Sequence, residues 1–317
     1  MARRPEIDET RNQFDSQVVG NKDDTVSGTS LVSLVKQNAA ATARVGDVWY
    51  VDKYIATTGD GRTWGTAFKT MTEAITAAGD YDEIHVGPGV YAEAAVMNID
   101  QAALKIKGTG NGGQWGPCGF SSATSGDDIM TINADRVEIS GIAFWCVTNA
   151  KDGIVIGTTY DSWNTWIHDC AFGTGTADNT LGEYGVQNIG VAGSLDVANT
   201  LIEDCYFHYM STAGIQTAAT RATIRRNLIW SSSIGIDVLN EGAAFSCCAI
   251  YDNHLVGKNA GTGIKLAATE PTDGNIYVGN NNVTNFSVNI TPAKGDAGLV
   301  NNGTYGDGTS WTGVDPT

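Results

Sequence analysis

From about residue 82 to residue 290 the apolar positions of the chain fall into short alternating runs, each closed by Gly, Asn, Asp, Ser or Thr. Six hexapeptides align within this stretch: Ile139-Ser-Gly-Ile-Ala-Phe144, Ile167-His-Asp-Cys-Ala-Phe172, Ile202-Glu-Asp-Cys-Tyr-Phe207, Ile224-Arg-Arg-Asn-Leu-Ile229, Ile250-Tyr-Asp-Asn-His-Leu255 and Val278-Gly-Asn-Asn-Asn-Val283. Their first and last residues are apolar in every copy, and their starts are separated by 28, 35, 22, 26 and 28 residues, a drifting period. A second unit recurs between them, a glycine followed by alternating residues: Gly153-Ile-Val-Ile156, Gly185-Val-Gln-Asn188, Gly214-Ile-Gln-Thr217, Gly235-Ile-Asp-Val238 and Gly263-Ile-Lys-Leu266. Each period therefore holds at least two strands.

Period-2 strands recurring every few tens of residues between polar turns are the pattern of stacked β-coils. The expected fold is all-β, a right-handed parallel β-helix. A barrel or a sandwich would also show many short strands, but neither has a reason to keep hexapeptides in register with one residue type at one place. The fourth hexapeptide position reads Ile142, Cys170, Cys205, Asn227, Asn253 and Asn281. Stacked about 4.8 Å apart, Cys170, Cys205, Asn227, Asn253 and Asn281 are expected to form a structural ladder, with the asparagine amides hydrogen-bonding along the column.

The flanks differ from the repeats. Residues 1–46 are polar and charged, with a short helical spacing at Leu31, Leu34 and Val35, and are expected to form an extended N-terminal arm that attaches to a particle or to copies of itself. Residues 47–81 are expected to hold an opening strand, Val48-Trp49-Tyr50-Val51, and a helix from Ala67 to Ala78 whose stripe of Phe68, Met71, Ala74 and Ile75 caps the open end of the solenoid. The β-helix is assigned to 82–291, and a Gly/Thr-rich tail or closing cap to 292–317, with Tyr305 and Trp311 as its aromatic residues.

Composition narrows the function. The 317 residues include 39 glycines and 6 prolines, and 42% hydrophobic content is enough for a core. A net charge of -16 argues against nucleic acid and anionic membranes as partners and suits a non-sticky surface. The N-terminus shows no apolar signal segment, and no run approaches the length of a membrane span, so synthesis in a cytoplasm is expected. Cys118, Cys146, Cys170, Cys205, Cys247 and Cys248 fall in apolar segments without metal-ligand spacing and read as buried free thiols. His85, His168, His208 and His254 are scattered one to a segment, so no transition-metal site is expected.

The stretch Thr57-Thr-Gly-Asp-Gly-Arg-Thr-Trp-Gly-Thr-Ala-Phe-Lys-Thr-Met-Thr-Glu-Ala-Ile75, followed by Asp82-Glu-Ile-His-Val-Gly-Pro-Gly-Val-Tyr-Ala-Glu93, resembles the start of pectate-lyase-like β-helix proteins. The asparagine-containing coils extend the likeness to about 51–290. That superfamily includes polysaccharide lyases, glycosidases, pectin esterases and bacteriophage tailspikes and appendages, so the resemblance implies a fold and leaves the chemistry open. The polar arm and Gly/Thr-rich tail look most like a phage virion protein. The resemblance then implies a homotrimer located in the virion, with the arm bound to other virion proteins.

A β-helix enzyme needs carboxylates on neighbouring coils. Asp169, Asp204 and Glu203, flanked by His168 and Arg225, are the candidates, with acid/base catalysis or calcium binding as the chemistry they could support and local turn hydrogen bonds as the plainer reading. None of the family's paired-Asp hydrolase motifs is found, nor an arginine set beside three calcium-binding acids. Val90-Tyr91-Ala92-Glu93 is similar to an element of pectin esterases. The other outer row, Val155, Gln187, Gln216, Asp237 and Lys265, could receive a sugar, with Gln187, Gln216 and Asp237 as its binding candidates. Trp145, Trp163, Trp166, Tyr206, Tyr209 and Trp230 could stack on sugar rings or fill core and subunit contacts. No cofactor is expected. The leading expectation is a structural virion protein of a tailed phage, a spike, fibre or head decoration that can contact host polysaccharide; a β-helix polysaccharide lyase or hydrolase and a glycan-binding module are the alternatives.

Overall fold

The computed structural model describes residues 46–109, 116–124, 126–146, 151–173, 182–188, 197–218, 221–230, 233–239, 248–258, 260–266, 276–291, 298–300 and 303–305. The arm, its short helix and Trp311 lie outside them, as does Cys247. From Asp47 on, the described residues form an all-β, right-handed parallel β-helix. Three parallel sheets of ten, nine and eight strands run along it, and a two-stranded ladder, Ser162–Trp163 with Val197–Ala198, adds a short fourth face.

One coil shows how the hexapeptide works. Trp166–His168 lies in the first sheet, Ala171–Gly173 in the second and Tyr184–Asn188 in the third. The hexapeptide is thus not one strand but two strands around a corner. At position three the backbone turns left-handed in every copy: Gly141, Asp169, Asp204, Arg226, Asp252 and Asn280 all have φ between 51° and 68°. Gly, Asn and Asp tolerate that region, which is why they dominate the position. The corner returns position four to the interior, where Ile142, Cys170, Cys205, Asn227, Asn253 and Asn281 are all buried.

The core is built from columns. Ile84, Ile106, Ile139, Ile167, Ile202, Ile224, Ile250 and Val278 are consecutive partners along the first sheet. Along the second, Phe144 stacks on Phe172 at 4.9 Å and Phe172 on Phe207 at 4.8 Å, ring planes within 8° of parallel. Burying each such ring is worth about 1.5–3 kcal/mol, so the column contributes heavily to the solenoid's cohesion. The glycines of the second repeat make room for it. A Cβ on Gly153 would sit 2.8 Å from the Phe172 ring and one on Gly185 2.5 Å from the Phe207 ring.

The cap is shorter than expected. Helix α1 spans Met71–Ala77, with Met71, Ala74 and Ile75 buried, because Thr70 and Glu73 form a reciprocal capping box that starts the helix there. Phe68 does not join it; its backbone pairs with Val51, donating to Tyr50 O at 2.8 Å. At the far end the ladders run on past residue 291, with Gly298–Val300 paired to the first sheet and Gly303–Tyr305 to the second.

Candidate functional site

The outer surface at the corner between the first and second sheets gathers the acidic candidates. Ile202 faces Ile167 and Ile224 in register, so Glu203 stands between His168 and Arg225 on adjacent coils. Glu203 is 4% exposed and its carboxylate is fully engaged. Oε1 accepts from Trp166 Nε1 at 2.9 Å, and Oε2 from Arg225 Nε at 2.6 Å and from Arg226 Nη2. Arg226 forks onto Asp204, Nε to Oδ1 at 2.9 Å and Nη2 to Oδ2 at 2.7 Å. Arg225 reaches on to the Tyr251 hydroxyl at 3.0 Å. Asp169 sits apart from this fork, exposed, and takes the His168 Nδ1 at 2.8 Å.

The electrostatics follow. Burial pushes the Glu203 carboxyl up, but the hydrogen bond and charge of Arg225, the charge of Arg226 and the Trp166 N–H outweigh it and hold the group below the usual carboxylate range. Asp204 is held low by its Arg226 hydrogen bond, which exceeds its own burial. Both are ionised acceptors with their lone pairs directed at guanidinium and indole donors. Such a pair has no proton to give to a leaving group at neutral pH.

The proposed sugar row forms a ladder of its own. Gln187, Gln216, Asp237 and Lys265 are successive register partners. Gln187 Nε2 donates to Gln216 Oε1 at 2.9 Å, Gln216 Nε2 donates to Asp237 Oδ2 at 3.1 Å and to the Tyr184 hydroxyl at 3.2 Å, and Lys265 Nζ meets Asp237 Oδ1 at 3.1 Å. Gln216 and Asp237 are only 6% and 3% exposed; Gln187 is the half-buried member of the three.

Inside, the fourth-position column is a donor ladder. Asn227 Nδ2 donates to Ile202 O at 3.0 Å, Asn253 Nδ2 to Ile224 O at 2.9 Å and Asn281 Nδ2 to Ile250 O at 2.9 Å, in each case the first hexapeptide residue of the preceding coil. The thiols occupy the same slot: Cys170 Sγ lies 3.7 Å from Ile139 O and Cys205 Sγ 3.7 Å from Ile167 O. Cysteine here is a weak donor to the carbonyl that asparagine serves strongly. Cys118, Cys146, Cys170 and Cys205 are buried free thiols, and Cys248 is buried as well.

The pectin-esterase-like element serves the cap. Tyr91 OH donates toward Gly87 O at 3.0 Å, and Glu93 accepts from Met71 N at 2.9 Å and Thr72 Oγ1 at 2.7 Å at the start of α1. Of the aromatic candidates, Trp163, Trp166 and Trp230 are 39%, 37% and 42% exposed, while Tyr206 is buried on the outer side of the second sheet with Ala143 and Ala171, against Trp145 and Leu228. Among the described residues no group of three or more His, Cys, Asp or Glu side chains is placed to hold a metal.

A carboxyl pair absent from the sequence reading lies at the start of the third sheet. Met130 faces Ile154 in register, and Asp128 and Asp152 each stand two residues before these partners. Burial and then the charge of Asp128 push Asp152 up to about 7, and burial raises Asp128 as well. The signal in the sequence is an acid two residues before each of Met130 and Ile154, but Ile129 replaces the repeat's glycine and conceals the alignment.

Solved structures share this architecture. Pectate lyase Pel9A superposes with a TM-score of 0.56 at 14% identity, over 83% of this chain and 71% of its own. The pectin methylesterase from Aspergillus niger gives 0.52 at 15%, over 83% and 87%, and pectin methylesterase PemA from Erwinia chrysanthemi 0.50 at 14%, over 83% and 90%. The likeness is one of fold. No protein-family model matches the sequence, and no curated protein matches it.

Proposed function

We propose that this chain is a structural virion protein of a tailed bacteriophage, a trimeric β-helix that projects from the particle as a spike, fibre or head decoration and touches host surface glycan. The observation that carries the reading is the state of the Glu203–Asp204 cluster, where Glu203 is ion-paired to Arg225 and Arg226 and Asp204 to Arg226. That arrangement braces neighbouring coils and suits a stiff rod better than an acid/base centre. The polar arm of residues 1–46 supplies the attachment, and exposed Trp163, Trp166 and Trp230 supply flat apolar faces on which sugar rings stack.

Two measurements test it. Native mass of the full chain is expected to give a trimer; a stable monomer counts against the particle-mounted rod. Incubation with host surface polysaccharide is expected to show retention without cleavage, whereas new reducing ends or unsaturated sugars support the second reading.

That second reading is a polysaccharide lyase or glycoside hydrolase of the same fold. What favours it is the company the fold keeps, since proteins named as a pectate lyase and pectin methylesterases superpose at TM-scores of 0.50 to 0.56.

A further inference from the structure

The carboxyl pair at the start of the third sheet has a geometry with one chemical resolution. Parallel in-register strands stack equivalent residues about 4.8 Å apart, which sets Asp128 and Asp152 on adjacent coils. The backbone around them is pinned: Ile129 N donates to Asp152 O at 2.8 Å and Lys151 N to Asp127 O at 3.1 Å. Asp152 is 0% exposed; its Oδ1 accepts the Tyr184 N–H at 3.0 Å, while its Oδ2 is buried without a hydrogen-bond partner. Asp128 Oδ1 is likewise buried and unpartnered. Two ionised carboxylates facing each other in this setting would repel, and a buried carboxylate oxygen with no donor is costly.

The surrounding charges do not relieve the pair. Lys151 attracts it but is exposed, and its effect on Asp152 ranks below burial and below the repulsion from Asp128. Glu183 and Asp127 add negative charge from just before the neighbouring strand and from the residue next door, Tyr184 contributes its backbone N–H, and the Cys146 thiol beside Asp152 is itself held neutral, pushed up to about 12 by burial and by Asp152.

We propose that Asp128 and Asp152 share one proton as an O–H···O bond, a clamp between the Met130–Ile132 and Asp152–Ile156 strands whose grip is set by pH. The proton satisfies both orphan oxygens and cancels the repulsion. Because the folded pair binds protons more tightly than the unfolded chain, its contribution is complete below the ordinary carboxylate range and is lost as pH rises to about 7, where Asp152 ionises. The solenoid is therefore held more firmly in mild acid than in mild alkali at this junction, whichever functional reading holds.

The test is thermal unfolding of the full chain from pH 5 to pH 8.5, for the wild type, Asp128→Asn and Asp152→Asn. The expected result is a wild-type folding constant that falls by up to about tenfold per pH unit between pH 5 and about 7 and levels off above it, with the fall flattened in both variants. Curves parallel to the wild type overturn the proposal. If Asp152→Asn does not fold, infrared difference spectra of the wild type decide: a carboxylic-acid C=O band that vanishes between pH 6 and 8.5 (about the titration range of a carboxyl raised to near 7) and is missing in Asp128→Asn supports the shared proton, and its absence refutes it. Repeating the melts at pH 8 with calcium gives the last arm. A saturable stabilisation lost in Asp152→Asn would mean that a cation, not a proton, joins the two carboxylates, and the proposal would be wrong.

Discussion

The side-chain amide of Asn227 donates to Asn253 Oδ1 at 3.0 Å, and the same oxygen accepts the Asn227 backbone N–H at 3.0 Å. Asn253 repeats the pattern one coil on, its amide and its backbone N–H meeting Asn281 Oδ1 at 2.9 Å and 3.1 Å. One side chain thus satisfies the orphan donor left by a left-handed corner and the carbonyl of the coil behind. Asn253→Ala is expected to strand two donors and the Ile224 carbonyl and to cost about 2–4 kcal/mol. Asn253→Cys is expected to cost less, since Cys205 shows a thiol filling that slot. Thermal melts of the two variants check the order; an equal loss would show that the carbonyl contact contributes nothing.

The glycine column makes a second prediction. A Cβ on Gly235 would lie 2.4 Å from Gly263 O and 2.4 Å from Leu255 Cδ2, so Gly235→Ala is expected to overpack the interior and cost about 1–3 kcal/mol. Gly65 has only Thr63 Oγ1 near its Cβ position, at 3.8 Å, and Gly65→Ala is the control, expected to melt with the wild type.

These columns explain what could be read in advance. Hexapeptides and glycine units repeat because every coil needs the same side chain at the same place, and that regularity survives in the sequence as Ile139, Ile167, Ile202, Ile224 and Ile250. The corner was hidden by Arg226, a residue that does not advertise a left-handed backbone and is held there by Glu203 and Asp204. Helix α1 reads as starting at Ala67 because Phe68 keeps helical spacing with Met71 and Ile75, yet Phe68 pairs with Val51 instead, a long-range contact that periodicity cannot express. Asp128 and Asp152 escaped because their column departs from the glycine repeat at Ile129, and a carboxyl pair across coils exists only once the register is known.

The Glu203 network predicts an acid limb of opposite sign to the Asp128–Asp152 clamp. Its carboxyl is held low, so its contribution is present above the ordinary carboxylate range and is lost as pH falls through the lowered value. Glu203→Gln is expected to flatten the loss of stability below about pH 4 and, since Arg225 and Arg226 are half-exposed and partly solvated, to cost about 1–3 kcal/mol at neutral pH. The check is a pair of pH-dependent melts; an unchanged acid limb would place the acid sensitivity elsewhere.

Exposed tryptophans make the functional reading testable residue by residue. Trp166 stacks on His168 at 4.0 Å between ring centroids and gives its N–H to Glu203, so its face is rigidly presented while still 37% exposed. Trp230 projects from the second sheet, 42% exposed. A sugar ring on such a face gains about 0.5–1.5 kcal/mol beyond area burial, which converts to roughly two- to tenfold in affinity. Trp230→Ala is therefore expected to weaken polysaccharide retention by that factor and leave the melting temperature nearly unchanged, because nothing in the main core rests on it. Trp166→Ala is expected to weaken retention and also lower stability, through the lost hydrogen bond to buried Glu203. If both variants retain polysaccharide as the wild type does while Glu203→Gln abolishes cleavage, the ion-paired corner is an enzyme's site after all, and the tryptophans are surface without a glycan.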